Sequence, residues 1–165
     1  MESYTIQIEK DELVFCAAHF ITYGGGRCET LHGHNYRVGA RLGGRLDPNG
    51  LVHDFIDVRD RLLEIVGRLD HRTLLPEINP HFQLERDGDD VELRYRDRTY
   101  RFPAADVVVL PVANTTAELL ARHLADELFD QLTSEDAAGT LSELEIEVEE
   151  SFGQSATFRR ELAPE

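Results

Sequence analysis

The chain has 165 residues, room for one ordinary domain whose core can fold without staples. Its 41% hydrophobic and 30% charged residues make a globular composition, and no apolar run approaches the roughly 20 residues that a membrane-spanning helix needs. Acidic residues outnumber basic ones 32 to 17, and the net charge of -15 argues against a nucleic-acid partner and leaves any phosphorylated ligand dependent on a local basic cluster.

Leu13 to Ile21 reads as a largely apolar strand and Asn35 to Leu42 as a second, separated by a glycine-rich loop from Tyr23 to Thr30. Gly43-Gly44 and Asp47-Pro48-Asn49-Gly50 carry turn chemistry, which predicts that Leu51-Val52-His53 folds back as an antiparallel partner. From Ile56 to Leu69 apolar residues recur at helical spacing, with Asp54 or Asp57 as the cap. Phe82 to Glu85, Val91 to Tyr95 and Thr99 to Phe102 alternate like strands and predict a charged meander, and Val107 to Leu110 one more strand. Asn114 or Thr115 then caps a second helix with Leu120, Leu124, Leu128 and Leu132 along one stripe. Leu144, Ile146 and Val148 alternate with glutamates, and Ser155 to Arg159 returns across Gly153. Paired strands, helix, strands, helix, paired strands is the order of an α+β fold with an antiparallel sheet.

The N-terminal stretch has no basic region leading into an apolar one, so a cytoplasmic location is expected, with Cys16 and Cys28 as free thiols. Cys16, inside the first strand, reads as a small buried apolar residue. His32-Gly33-His34 lies at the entry to the second strand, where alternation turns both imidazoles to one side, and His19 on the preceding strand stands where pairing brings a third. Three neutral histidines with an open fourth position describe a catalytic zinc site. Spacing alone leaves open a chance His-x-His beside a hydrogen-bonded core histidine. Cys28, four residues before His32 in a loop that gives a thiol no packing role, favours the metal site, and a zinc-proximal thiol has a lowered pKa.

Ala18-His19 followed by Cys28-Glu29-Thr30-Leu31-His32-Gly33-His34-Asn35-Tyr36 resembles the signature of 6-pyruvoyl-tetrahydropterin synthases and their bacterial relatives, the 6-carboxytetrahydropterin synthases of queuosine biosynthesis. Gly50-Leu51-Val52-His53-Asp54-Phe55, Leu69-Asp70-His71, Thr116-Ala117-Glu118-Leu119-Leu120-Ala121 and Val148-Glu149-Glu150-Ser151 resemble further motifs of that family in the same order. The resemblance covers His19 to Phe158. It implies a T-fold in one domain: an antiparallel sheet with two helices on one face, trimerising into a barrel and pairing into hexamers, with a pterin pocket between subunits.

It also implies roles. His19, His32 and His34 carry Zn²⁺; Cys28 takes a proton from the substrate side chain, with Glu29 as the competing base; His71, oriented by Asp70, moves the second proton. Glu150 anchors the pterin, with Glu149 as its rival, because alternation puts Glu150 on the apolar side of its strand. Thr116 and Glu118 are structural residues at the helix start, His53, His81 and His123 are structural, and Arg27, Arg37 and Arg72 are phosphate contacts by proximity. The chain departs from the family pattern at Thr115 and Leu119, where proline and asparagine are common, and in Arg72 to Val109, which replaces a shorter connection. The compact Cys-x-x-x-His spacing favours conversion of 7,8-dihydroneopterin triphosphate to 6-carboxy-5,6,7,8-tetrahydropterin, with 6-pyruvoyl-tetrahydropterin synthesis as the alternative. A non-catalytic, zinc-stabilised oligomeric module is the alternative of another class.

Overall fold

Two long strands, β1 (Tyr4–His19) and β4 (His32–Gly44), pair antiparallel and carry the architecture. The computed structural model describes residues 2–133 and 141–162. Between the two strands the chain forms a two-strand ribbon, β2 (Thr22–Tyr23) with β3 (Arg27–Cys28), inside the segment expected to be a loop. After β4 come α1 (Phe55–Gly67), β5 (Arg72–Pro76), the meander β6 (Gln83–Asp87), β7 (Asp90–Tyr95) and β8 (Arg98–Pro103), then β9 (Val107–Leu110) and α2 (Ala117–Thr133). The hairpin β10 (Leu141–Ser151) and β11 (Gln154–Glu161) completes a six-stranded sheet of order β11-β10-β4-β1-β5-β9.

Inward residues of β1 (Leu13, Phe15, Ala17), β4 (Tyr36, Val38, Ala40, Leu42) and β10 (Leu144, Ile146, Val148) share one core with Leu62 and Ile65 of α1 and Leu124 and Leu128 of α2. Both helices therefore cover one face of the sheet, while Val14, Cys16, Asn35, Arg37 and Arg41 point away from it. This is the expected α+β T-fold. The pairing is antiparallel from β11 through β1, but β5 and β9 run parallel to β1 at one edge, so the sheet is mixed. Strand β5 was not expected: Arg72–Pro76 is too short to show an alternation of its own.

A bulge in β1 sets the facing of everything after it. The step from Glu9 to Val14 on β1 lies opposite the step from Gly39 to Arg37 on β4. The excess is odd, so the inward residues change from Ile6 and Ile8 to Leu13, Phe15, Ala17 and His19. The same parity explains a correction: Cys16 is exposed, because its neighbours Phe15 and Ala17 occupy the core side.

Leu51-Val52-His53 does not form a strand. Asp47 accepts the backbone N–H groups of Asn49 and Leu51, both at 2.8 Å, and its own N–H donates to the Leu51 carbonyl at 2.8 Å, so the segment closes on itself as a loop with Val52 buried beneath it. Asp54 caps α1, accepting from Ile56 N at 2.8 Å. At α2 the expected caps are engaged elsewhere: the Thr115 hydroxyl donates to the Phe20 carbonyl at 2.8 Å, and the Asn114 side-chain amide to the Thr22 carbonyl at 2.8 Å. Both tie the helix entrance to the end of β1 and to β2. Among the described residues, no helix is long and apolar enough to cross a membrane.

Candidate functional site

His19 ends β1 fully buried, and the β1–β4 register places His32 directly opposite it and His34 opposite Ala17. Because directly paired residues of antiparallel strands point to the same face, the three imidazoles meet, with one potential ligand atom from each lying within 4.8 Å of the others. His19 Nε2 and His32 Nε2 are 3.2 Å apart. The opposite ring nitrogens are already committed: His19 Nδ1 lies 2.9 Å from the Thr115 carbonyl, and His32 Nδ1 lies 2.9 Å from the Thr30 carbonyl. A carbonyl oxygen only accepts, so these Nδ1 atoms carry hydrogen and the Nε2 lone pairs face each other.

Lone pairs at that separation repel unless a cation lies between them. The arrangement therefore fits a borderline divalent metal held by three neutral imidazoles, with backbone carbonyls fixing two of the ligand tautomers from behind. Burial lowers the pKa of His19 to about 4; the Thr115 carbonyl partly opposes this, and the neighbouring His32 and His34 add to it. The ring is thus neutral at physiological pH, the form that can ligate.

Glu150 reaches the same place from β10. Its Oε1 lies 3.6 Å from His19 Nε2 and 3.8 Å from His34 Nε2, and the Tyr36 hydroxyl donates to it at 3.5 Å. The carboxylate follows Leu144, Ile146 and Val148 on the core side of its strand, as alternation predicts. Glu149 is turned to its own hairpin, accepting from Gly153 N at 2.9 Å. Beside the triad, His34, Asn35, Glu150 and Phe152 border an open concavity of about 560 Å³. Tyr36 received no role from sequence reasoning. Its position two residues after His34, on the same face of β4, is the signal that places it, and burial together with Glu150 pushes its phenol well above the usual range.

Cys28 does not join the converging donors. It is half-buried in β3, its thiol donates to the Glu29 carbonyl at 3.2 Å, and Arg98 Nη2 donates to the Cys28 carbonyl at 3.1 Å. Burial pushes the thiol pKa up, Arg98 opposes that, and Glu29 adds to it, so in the chain alone the thiol is not acidified. Glu29 Oε2 is 3.5 Å from His32 Nε2.

Asp70 and His71 form a separate cluster. Asp70 Oδ1 accepts from Cys16 N at 2.7 Å, His71 N donates to the Cys16 carbonyl at 2.7 Å, and Asp70 Oδ2 lies 2.8 Å from His71 Nδ1. The Cys16 N–H, ahead of His71, holds the Asp70 carboxyl below its ordinary range. His71 adopts φ 57°, a left-handed conformation that costs a non-glycine residue energy, and its side chain is 79% exposed. Of the arginines chosen by proximity, Arg72 lies beside this cluster, with Nη1 donating to the His71 carbonyl at 3.5 Å; Arg27 and Arg37 are exposed. His53 pairs with Asp57 of α1 at 2.7 Å and His123 with Glu127 of α2 at 3.2 Å, and neither joins the converging donors.

Residues 7–161 match the family model described as 6-pyruvoyl tetrahydropterin synthase. A Methanocaldococcus jannaschii protein provisionally named 6-carboxy-5,6,7,8-tetrahydropterin synthase is 34% identical over 151 residues, covering 91% of each chain. The 6-carboxy-5,6,7,8-tetrahydropterin synthase of Haemophilus influenzae is 27% identical over 124 residues, covering 71% of this chain and 78% of that one. Among solved structures, the 6-pyruvoyl tetrahydropterin synthase of Plasmodium vivax superposes with a TM-score of 0.91 at 28% identity, covering 98% of this chain and 100% of that one. A further structure of the Plasmodium vivax enzyme carries alanine in place of a catalytic glutamate.

Proposed function

The chain belongs to the 6-pyruvoyl tetrahydropterin synthase family, and from that premise we propose that it is a zinc-dependent lyase converting 7,8-dihydroneopterin triphosphate and water to 6-carboxy-5,6,7,8-tetrahydropterin, triphosphate and acetaldehyde. The observation that carries the metal is the meeting of His19, His32 and His34, with His19 and His32 each held through Nδ1 by a backbone carbonyl. The 6-carboxy product is favoured over a 6-pyruvoyl one by the names of the relatives from Methanocaldococcus jannaschii and Haemophilus influenzae. Zinc held by His19, His32 and His34 would supply Lewis acidity toward oxygens of the substrate side chain, which would make the adjacent C–H bonds more acidic.

The protein's own groups do the rest. Glu150 accepts paired hydrogen bonds from the amide and amine edge of the pterin, and Tyr36 donates to the same carboxylate and holds it in place. Cys28 takes a proton from the side chain, and His71 moves the second, with Asp70 holding its Nδ1 hydrogen so that Nε2 is the working atom. The 79% exposure of the His71 side chain suits a group presented to the pocket of a neighbouring subunit. A homotrimer or hexamer, in the cytoplasm, is part of this reading.

A second base deserves weight on one observation: Glu29 Oε2 stands 3.5 Å from His32 Nε2, and the Plasmodium vivax relative uses a catalytic glutamate. Cys28→Ala and Glu29→Gln separate the two, since the true base is the one whose loss costs about 10²–10⁴-fold in kcat with zinc retained. The reaction itself is tested by incubating zinc-loaded protein with 7,8-dihydroneopterin triphosphate and identifying products by mass spectrometry. Acetaldehyde and a 6-carboxy pterin are expected. A 6-pyruvoyl pterin with all its carbons retained would move the chain to the other branch, and no turnover of any reduced pterin would leave a zinc-stabilised binding module.

A further inference from the structure

Three glycines precede Cys28, and all have positive φ: Gly24 at 50°, Gly25 at 79° and Gly26 at 91°. Such a run has little stiffness of its own, because glycine gives up more conformational freedom on ordering than any other residue. Yet a group that must take a proton from a bound substrate has to be held within hydrogen-bond reach of it. The meander supplies the missing constraint.

Its aromatic core, with Phe82, Leu93 and Tyr95, packs on Phe20, the residue after His19, and Phe20 and Tyr100 have ring centroids 4.7 Å apart. From that base the turn between β7 and β8 reaches the glycine loop. Tyr95 donates its hydroxyl hydrogen to the Gly26 carbonyl, Arg96 Nη2 donates to the same oxygen at 3.4 Å, and Arg98 Nη2 donates to the Cys28 carbonyl at 3.1 Å. The His81 ring closes the other side, so near to Gly26 that a Cβ added there would lie 2.6 Å from it. The Arg98 guanidinium lies 4.8 Å from the centre of the Tyr95 ring and also donates to the Tyr100 hydroxyl at 3.4 Å, so its position is over-determined.

We propose that the meander β6–β8 is a clamp on the loop that carries Cys28, and that Arg98 is a positioning residue that fixes the Cys28 backbone and sets a positive charge beside its thiol. The charge opposes two influences, burial of the thiol and the nearby Glu29 carboxylate, both of which favour the protonated form. Without Arg98 the thiol stays protonated to higher pH and the loop loses the bond that orients it. The proposal deepens the catalytic reading and rests on Cys28 being its base.

The full chain with Cys16→Ser has Cys28 as its remaining thiol. Its rate of alkylation by iodoacetamide, followed against pH in the zinc-loaded protein, reports thiolate formation directly. Arg98→Met is expected to move the midpoint of that profile upward by about one pH unit, with roughly tenfold slower alkylation below it, as removal of an adjacent opposite charge does. Arg98→Lys, which keeps the charge, should recover more than half of the displacement. Superimposable profiles for Arg98→Met and the parent overturn the proposal, as does an equal displacement in the Met and Lys variants, which would make the effect one of packing alone. Turnover does not enter this readout: a failed lyase reading shows as no product from the parent with the displacement still present, whereas a failed clamp leaves turnover intact and the profile unmoved.

Discussion

The imidazole triad and the Asp70–His71 corner are both built from histidine, yet they are made in opposite ways. His19 is fully buried, neutral, and held by a backbone carbonyl and two strand registers, so its geometry is complete before any ligand arrives. His71 has its side chain 79% exposed, sits in a strained backbone conformation, and is oriented by a carboxylate next to it in sequence. On the proposed reading, in which the triad ligates a metal and His71 moves a proton, the contrast is a division of labour. Ligands for a metal must have their desolvation and orientation costs met by the fold, or affinity is lost. A proton shuttle must stay accessible, and it acquires its low-dielectric surroundings only when substrate or a neighbouring subunit covers it.

The largest loss is expected from His34→Ala. Zinc measured by elemental analysis should fall far below one per chain, with kcat/KM down by about 10³-fold or more, since several kcal/mol of transition-state stabilisation goes with the metal. Retained zinc with near-normal turnover would show that the buried cluster is ordinary core. Less severe, and aimed at the exposed corner, is the mixing of Cys28→Ala and His71→Ala subunits by joint unfolding and refolding. Each variant alone should keep its zinc and lose about 10²–10⁴-fold in kcat. If the corner serves a neighbour's pocket, a one-to-one mixture should regain activity at about a quarter of its sites, as random pairing across a cyclic interface gives. A mixture no better than its parts would place both groups in one subunit's pocket.

The exposed corner also has a modest pH dependence of its own. The Asp70 carboxyl is held below its ordinary range by the Cys16 N–H and by His71, so it stabilises the fold above the unfolded carboxylate pKa, and that contribution is lost as pH falls through the lowered folded value. Asp70→Asn should melt roughly 2–4 °C below the parent at neutral pH, with the gap closing as the solution is acidified below pH 4. A gap that persists in strong acid would mean that the carboxylate charge contributes nothing there.

Much of this was legible in the sequence because the signals are local. The His32-Gly33-His34 spacing and the place of His19 in the preceding apolar run foretell a shared face, and the alternation in β10 picks Glu150 over Glu149 for the core side. The helices and the meander strands followed from periodicity to within one or two residues at most ends. What failed depends on partners far along the chain. Cys16 faces solvent against its hydropathy because hydropathy does not reveal a bulge, and Leu51-Val52-His53 forms no strand because the Asp47 carboxylate closes that segment into its own loop. Thr115 looked like a cap, whereas its carbonyl holds His19 and its hydroxyl holds Phe20, residues more than ninety positions earlier. Arg98 lies seventy positions from Cys28, and no spacing rule connects them.

The irregular stretch of β1 between Glu9 and Val14 has a consequence for how this protein tolerates change in length. Adding or removing a single residue there would turn the downstream strand over, sending the His19 ring out to water and Cys16 into the apolar layer, while a change of two would leave their facing as it was. The spelling of Lys10 to Glu12 is therefore free to drift in ways that its count, taken as odd or even, is not.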